Sequence, residues 1–207
     1  MEKKTQKVKL QGVQEVEVNI SLGAGKLHVE GGASDLMEAE YFDCSNSCLP
    51  EVTYKFNNTR GALTVKQGSL LNIPGGRTDW NLKFNNDIPL DMTLTCGAGD
   101  VLLRLSDLNL RTLKLKYGAG EVKVDLRGNW DHDVEAWISG GVGASKIKLS
   151  ESMKIIADVS TGLGSTVVNG LDRYEGKYIS KNNQESSNIL TIHVKGGIGE
   201  VKLLRGE

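Results

Sequence analysis

The phrase Gly-x-Gly occurs six times, each time between runs of alternating apolar residues: LGAGKL at 22–27, CGAGDV at 96–101, YGAGEV at 117–122, GGVGAS at 140–145, TGLGST at 161–166 and GGIGEV at 196–201. Aligned on the second glycine (Gly25, Gly99, Gly120, Gly143, Gly164, Gly199), the position five before is Ile20, Leu94, Leu115, Ile138, Val159 and Val194. The position seven before is Val18, Met92, Leu113, Ala136, Ala157 and Ile192. Four after come Val29, Leu103, Val124, Ile147, Val168 and Leu203, and two after come Leu27, Val101, Val122, Ser145, Thr166 and Val201. Polar residues fill most positions between, so both flanks are strands with one buried face. The inward set is odd-numbered before the glycines and even-numbered after them. A straight strand would carry its apolar set to the wrong face. The chain must therefore turn or bulge by one residue, and glycine allows this because it accepts positive φ without a Cβ clash. Gly23, Gly25, Gly97, Gly99, Gly118, Gly120, Gly141, Gly143, Gly162, Gly164, Gly197 and Gly199 are read as structural corners.

The second glycine recurs at steps of 21, 23 and 21 residues from Gly99 to Gly164. Equal steps of two strands each predict an all-β solenoid, a stack of Gly-x-Gly-cornered rungs in which each rung buries its apolar columns against the next. An antiparallel meander with Gly-x-Gly hairpins is the rival, but a meander has no need of equal rungs. The step from Gly25 to Gly99 is 74 residues and holds strand-like runs at 36–43, 50–56, 61–67 and 79–85, with a turn signal in NNTRG at 57–61. These predict an N-terminal β cap. The expected division is a flexible tail over 1–12, the first rung and hairpin cap over 13–90, and the repeat region over 91–207 with a polar excursion at 173–188.

Composition agrees with a thin aliphatic core. Of 207 residues 39% are apolar, but only 5% are aromatic. A net charge of −1 supplies no global field for nucleic acid or anionic membrane, which leaves only local patches. There is no apolar run near 18 residues, so no membrane insertion by this chain is expected, and MEKKTQKVKLQGVQ has no signal-peptide h-region. Three cysteines do not make a disulfide framework. Cys96 lies on an inward column and is expected to be buried; Cys44 and Cys48, in the polar run DCSNSC, are expected to be accessible.

Gly-x-Gly also appears in phosphate loops, but those need a third glycine and a helix N-terminus, and here a strand follows each time. Asp131, His132 and Asp133 in NWDHDVEAW carry metal-ligand chemistry, yet neighbours on a strand alternate faces and no partner cluster appears. The expected reading is a polar corner, with Trp130 and Trp137 covering the edge of the core. Asp100, Glu121 and Glu200 share a post-corner column with Lys26, Ala144 and Ser165, a mixed column that reads as a solvated edge and not a Ca²⁺ ladder. His28 and His193 are placed on outward, solvated positions. Catalytic, cofactor and metal residues are therefore expected to be absent. Lys114, Lys116, Lys146 and Lys148 all point outward and form a candidate binding surface for an anionic polymer. Nucleic acid would want aromatic platforms among them, so it is not expected.

The stretches GAGKLHVEGG, EVTYKF, DWNLKFNNDIPLDMTLTCGAG, LKYGAGEVKVDL and ISGGVGASKIKL, in this order, resemble the bacterial toast-rack proteins. They are similar to the C-terminal domain of the cell-wall-active-antibiotic response proteins. The resemblance spans about residues 13 to 205. It implies a β-solenoid-like fold and envelope association, with an adhesin label in some members, and no catalytic residues. The expected function is a non-catalytic structural or interaction domain of the bacterial envelope, in stress sensing or adhesion, with a protein partner or a cell-wall polymer as ligand and no enzymatic activity. A cytoplasmic protein-binding regulator is the alternative, and a carbohydrate-active β-solenoid enzyme a weaker one.

Overall fold

A computed structural model describes residues 3–42, 49–68, 78–181 and 187–206. Cys44 and Cys48 lie outside the described residues. Every regular element described is a strand, and the alternation that predicts each run also fixes its buried face. Three strands lead into a Gly-x-Gly corner and three leave it. β7 (Leu90–Ala98) turns into β8 (Val101–Arg104), β9 (Leu110–Ala119) into β10 (Val122–Leu126), and β11 (Val134–Val142) into β12 (Ser145–Leu149). Three longer strands run through the corner unbroken: β2 (Glu15–Gly31), β13 (Lys154–Asn169) and β16 (Ile189–Arg205). The segments before the corner make a first wall, and those after it a second wall.

The pairings between these strands are parallel, which excludes the antiparallel meander. They also correct the open solenoid. The first half of β2 pairs with β7, which pairs with β9, then β11, then β16. The second half of β16 pairs with β12, then β10, β8 and back to the second half of β2. The result is a closed parallel barrel of eight strands with further strands attached, not an open stack. Closure follows from the two long strands: because β2 and β16 each belong to both walls, they join the walls at both ends. The order also departs from the chain once. β16 lies between β11 and β13, so the last strand is inserted inside the fifth Gly-x-Gly strand.

The attached strands extend both walls. β5 (Arg60–Lys66) pairs with the first half of β2 and carries β4 (Glu51–Phe56) antiparallel outside it. β6 (Thr78–Phe84) pairs with the second half of β2, then β3 (Met37–Phe42) with β6, and β1 (Lys3–Val8) with β3. The segment expected as a flexible tail is thus an edge strand over Lys3–Val8. β14 (Asp172–Tyr174) and β15 (Lys177–Ile179) form a hairpin on β13 within the expected excursion. A crossover of this kind is required, since parallel neighbours β13 and β16 cannot be joined by a tight turn.

The core is one continuous apolar cluster between the walls, with Ile20, Leu94, Leu115, Ile138 and Val194 on the first and Val29, Leu103, Val124, Ile147 and Leu203 on the second. Cys96 is buried there; burial, together with nearby Asp100, pushes its thiol pKa upward. Ser145 breaks the apolar column for a visible reason. The Tyr117 hydroxyl crosses the corner and lies 2.5 Å from Ser145 Oγ, both groups being buried. Tyr117→Phe is expected to cost about 1–3 kcal/mol, because the Ser145 hydroxyl is left buried without a partner. Urea unfolding checks this, and the double variant with Ser145→Ala should recover most of the loss.

The corners stack as two glycine columns. The second glycines have φ of 144° at Gly25, 133° at Gly99, 138° at Gly120, 137° at Gly143, 138° at Gly199 and 156° at Gly164. A Cβ at Gly120 would overlap the carbonyl oxygen of Gly99, and the same overlap repeats along the column. The β2 end of the ladder is capped by Gln67, whose Oε1 accepts from the amides of Gly23 at 2.5 Å and Ala24 at 3.2 Å.

Candidate functional site

Outward residues of the first wall form rows across the strands, because parallel strands in one register put equal positions side by side. One row holds Lys114 on β9, Trp137 on β11, His193 on β16 and Asp158 on β13. The next row, two residues nearer the corner, holds Lys116, Ser139, Lys195 and Ser160. The Trp137 and His193 rings stack at 5.7 Å between centroids and 15° between planes. Lys114 Nζ lies 5.5 Å from the centre of the Trp137 ring, a cation–π arrangement. A shallow recess of about 460 Å³ opens here, lined by Lys114, Lys116, Trp137, Ser139, His193 and Lys195. Many lysines of this protein are ion-paired, such as Lys7 with Glu38 and Lys202 with Glu200. Lys114, Lys116 and Lys195 form no ion pair with a carboxylate among the described residues; of the acids on this face, Glu135 lies 3.7 Å from His193, and Asp158 stands beside His193 on β13. The recess therefore offers three uncompensated cations, a hydroxyl and an aromatic pair, a set suited to an anionic ligand with an apolar or sugar face.

The four-lysine surface expected from outward parity divides into two. Lys114 and Lys116 belong to this recess. Lys146 and Lys148 lie on the second wall, beside Lys123, Arg104, Asp125 and Arg127. There Arg127 donates to Asp125 at 2.6 Å and 2.9 Å, so part of that charge is balanced locally. Trp137 stands outward in the recess and does not cover the core edge. Trp130 is buried, with its Nε1 donating to the Leu108 carbonyl at 2.6 Å.

The residues of NWDHDVEAW bind other parts of the protein. The His132 ring nitrogens lie 2.9 Å from Asp131 Oδ1 and 2.8 Å from the Leu110 carbonyl oxygen. That contact with His132 holds the Asp131 carboxyl below its usual pKa. Asp133 Oδ1 accepts from the Ile189 amide at 2.8 Å, fixing the start of β16. No cluster of three or more metal-ligating side chains occurs among the described residues. In the post-corner column, Glu121 and Glu200 are ion-paired to Lys123 and Lys202. His28 sits 3.3 Å from Glu30 and has its pKa lowered, chiefly by burial.

The family model described as the N-terminal domain of toast_rack, DUF2154, matches residues 1–148. No curated protein matches the sequence. Among solved structures the chain is similar to a "putative cell adhesion protein" from Clostridium sporogenes ATCC 15579, at 26% identity over 99% of both chains and a TM-score of 0.92. A "putative adhesin" from Bacteroides fragilis NCTC 9343 aligns over 98% of this chain and 97% of its own, at 8% identity and a TM-score of 0.33, too distant a likeness to inform function.

Proposed function

Since this chain belongs to the toast-rack family, which its N-terminal domain model matches over residues 1–148, we propose that it is a non-catalytic adhesion-type module of the bacterial cell envelope, presenting a rigid face to a ligand at the cell surface. The observation that carries this is the full-length likeness to the clostridial protein described as a "putative cell adhesion protein". The geometry supports it. A closed parallel barrel holds the Lys114–Trp137–His193 row on adjacent strands, where binding needs no rearrangement. The ligand class that fits is an anionic cell-wall polymer, held by Lys114, Lys116 and Lys195 around Trp137.

The test is retention of purified anionic and neutral wall polymers on immobilised protein. Anionic polymer should be retained, and Lys114→Glu with Lys116→Glu should weaken retention at least about tenfold. Lys146→Glu with Lys148→Glu, on the other wall, should leave it within about twofold. Equal loss in both pairs would mean that overall charge, not this recess, binds polymer. Depolymerisation of a polysaccharide by the pure protein would overturn the non-catalytic reading.

A further inference from the structure

The middle residue of each Gly-x-Gly stands at the outside of the corner. In stacking order these residues are Ala24, Ala98, Ala119, Val142, Ile198 and Leu163. They form a ridge along the molecule, small at the β2 end and large at the β13 end. Val142 is 51% exposed, Ile198 53% and Leu163 71%. All three sit at one level on neighbouring strands, Val142 beside Ile198 and Ile198 beside Leu163. Single exposed apolar residues need no explanation; three large aliphatic side chains in contiguous register do.

Charged residues stand around the ridge, and fewer of them are acidic at its aliphatic end. Beside the alanines the post-corner residues are Lys26, Asp100 and Glu121; beside the aliphatic end they are Ala144, Ser165 and Glu200, the last ion-paired to Lys202 at 2.7 Å. Lys195 stands on the first wall, three residues before Ile198 and about 10 Å from it along the strand, and Lys116 holds the same place before Ala119 on the alanine side. Lys146 and Lys202 stand four residues past the ridge on the second wall. The aliphatic end is thus flanked by lysines on both walls, and its one post-corner carboxylate, Glu200, is ion-paired, while the alanine end mixes Lys26, Lys116 and Lys123 with Asp100 and Glu121.

We propose that the Val142–Ile198–Leu163 end of the corner ridge is a peripheral docking point for an anionic lipid surface. The aliphatic knobs enter the headgroup boundary, and the flanking lysines meet lipid phosphates. This is the arrangement of interfacial contacts in which a limited apolar area and several cations act together. Trp137, on the wall that leads into the ridge, has the amphipathic ring favoured at such a boundary. Lys195 and Trp137 also line the recess, but Ile198 and Leu163 do not, so the serine variants below test the ridge apart from polymer binding.

Cosedimentation with phosphatidylcholine vesicles, with and without phosphatidylglycerol, tests this. The protein should bind the anionic vesicles and not the neutral ones, and salt should weaken binding. Leu163→Ser with Ile198→Ser should reduce binding at least about tenfold. Both positions are exposed, so the melting temperature should stay unchanged. Leu163→Trp should raise binding, a gain that no folding defect can mimic. Failure to prefer anionic vesicles overturns the proposal, as does undiminished binding by the double serine variant. A dimer that Leu163→Ser converts to monomer also overturns it, by assigning the ridge to a second copy of the chain.

Discussion

Gly120→Ala is expected to lower stability by at least about 3 kcal/mol, a large loss for one methyl group. Two costs coincide there. The backbone holds φ at 138°, which an L side chain rarely adopts, and the added Cβ would meet the Gly99 carbonyl oxygen on the next strand. Gly99 sits in the corner between β7 and β8 with its own amide donating to the Ala119 carbonyl at 2.8 Å, so its oxygen cannot withdraw without disturbing that bond and the strands on either side. Two further variants separate the costs. Gly118→Ala meets the Gly97 carbonyl oxygen in the same way, without positive φ, so it carries only the overlap. Gly176→Ala, in the β14–β15 turn, has φ of 83° and open space around it, so it carries only the conformational term, about 1 kcal/mol. Urea midpoints should fall in the order Gly176, Gly118, Gly120. A Gly120 variant no worse than Gly176→Ala would mean that the stacked corner is not tight.

The corner was readable because it rests on a covalent fact: side chains on a strand alternate, so a parity change in the apolar columns demands an odd residue. The same columns place Leu115, Ile138 and Val194 inward, where they are buried. Pairing order was not readable. Every Gly-x-Gly strand carries the same inward face, so local pattern cannot tell β11 that its neighbour is β16 and not β13. Closure was hidden for a related reason. What makes β2 and β16 join both walls is that they continue through the corner, and nothing in LGAGKL or GGIGEV marks this apart from YGAGEV. β1 escaped because its lysine-rich run buries only Val8; it is held by antiparallel pairing to β3.

The candidate site was half legible. Parity puts Lys114 and Lys116 outward, and by the same rule Trp137 lies six before Gly143 and His193 six before Gly199, in the Lys114 column. Reading that column across the repeats brings the recess together; reading Trp137 by its size sends it to the core edge. Lys146 and Lys148 are outward too, but outward on the other wall, a distinction that only the bend at the corner creates. The middle-residue column was in plain view and meaningless until exposure was known, because Ala, Val, Leu and Ile read equally as core.

Deleting residues 188–207, which removes β16, is expected to abolish cooperative folding altogether. β16 buries Leu190, Ile192, Val194, Val201, Leu203 and Leu204. Their loss forfeits on the order of 10 kcal/mol of transfer free energy, comparable to the whole stability of a domain. The loss is also poorly placed for recovery. β16 pairs with β11, β12 and β13, so its removal opens the ring and leaves β13 paired only with the short β15. An open stack would respond differently: its stability is close to a sum over rungs, and removing a terminal strand subtracts one increment. The matched control is removal of residues 1–9, which takes away β1, an edge strand that buries only Val8. That variant should keep a single sharp transition with a modest shift in midpoint. Circular dichroism during urea titration reads both. If the 188–207 deletion still unfolds in one sharp step near the wild-type midpoint, closure of the barrel contributes nothing to its stability.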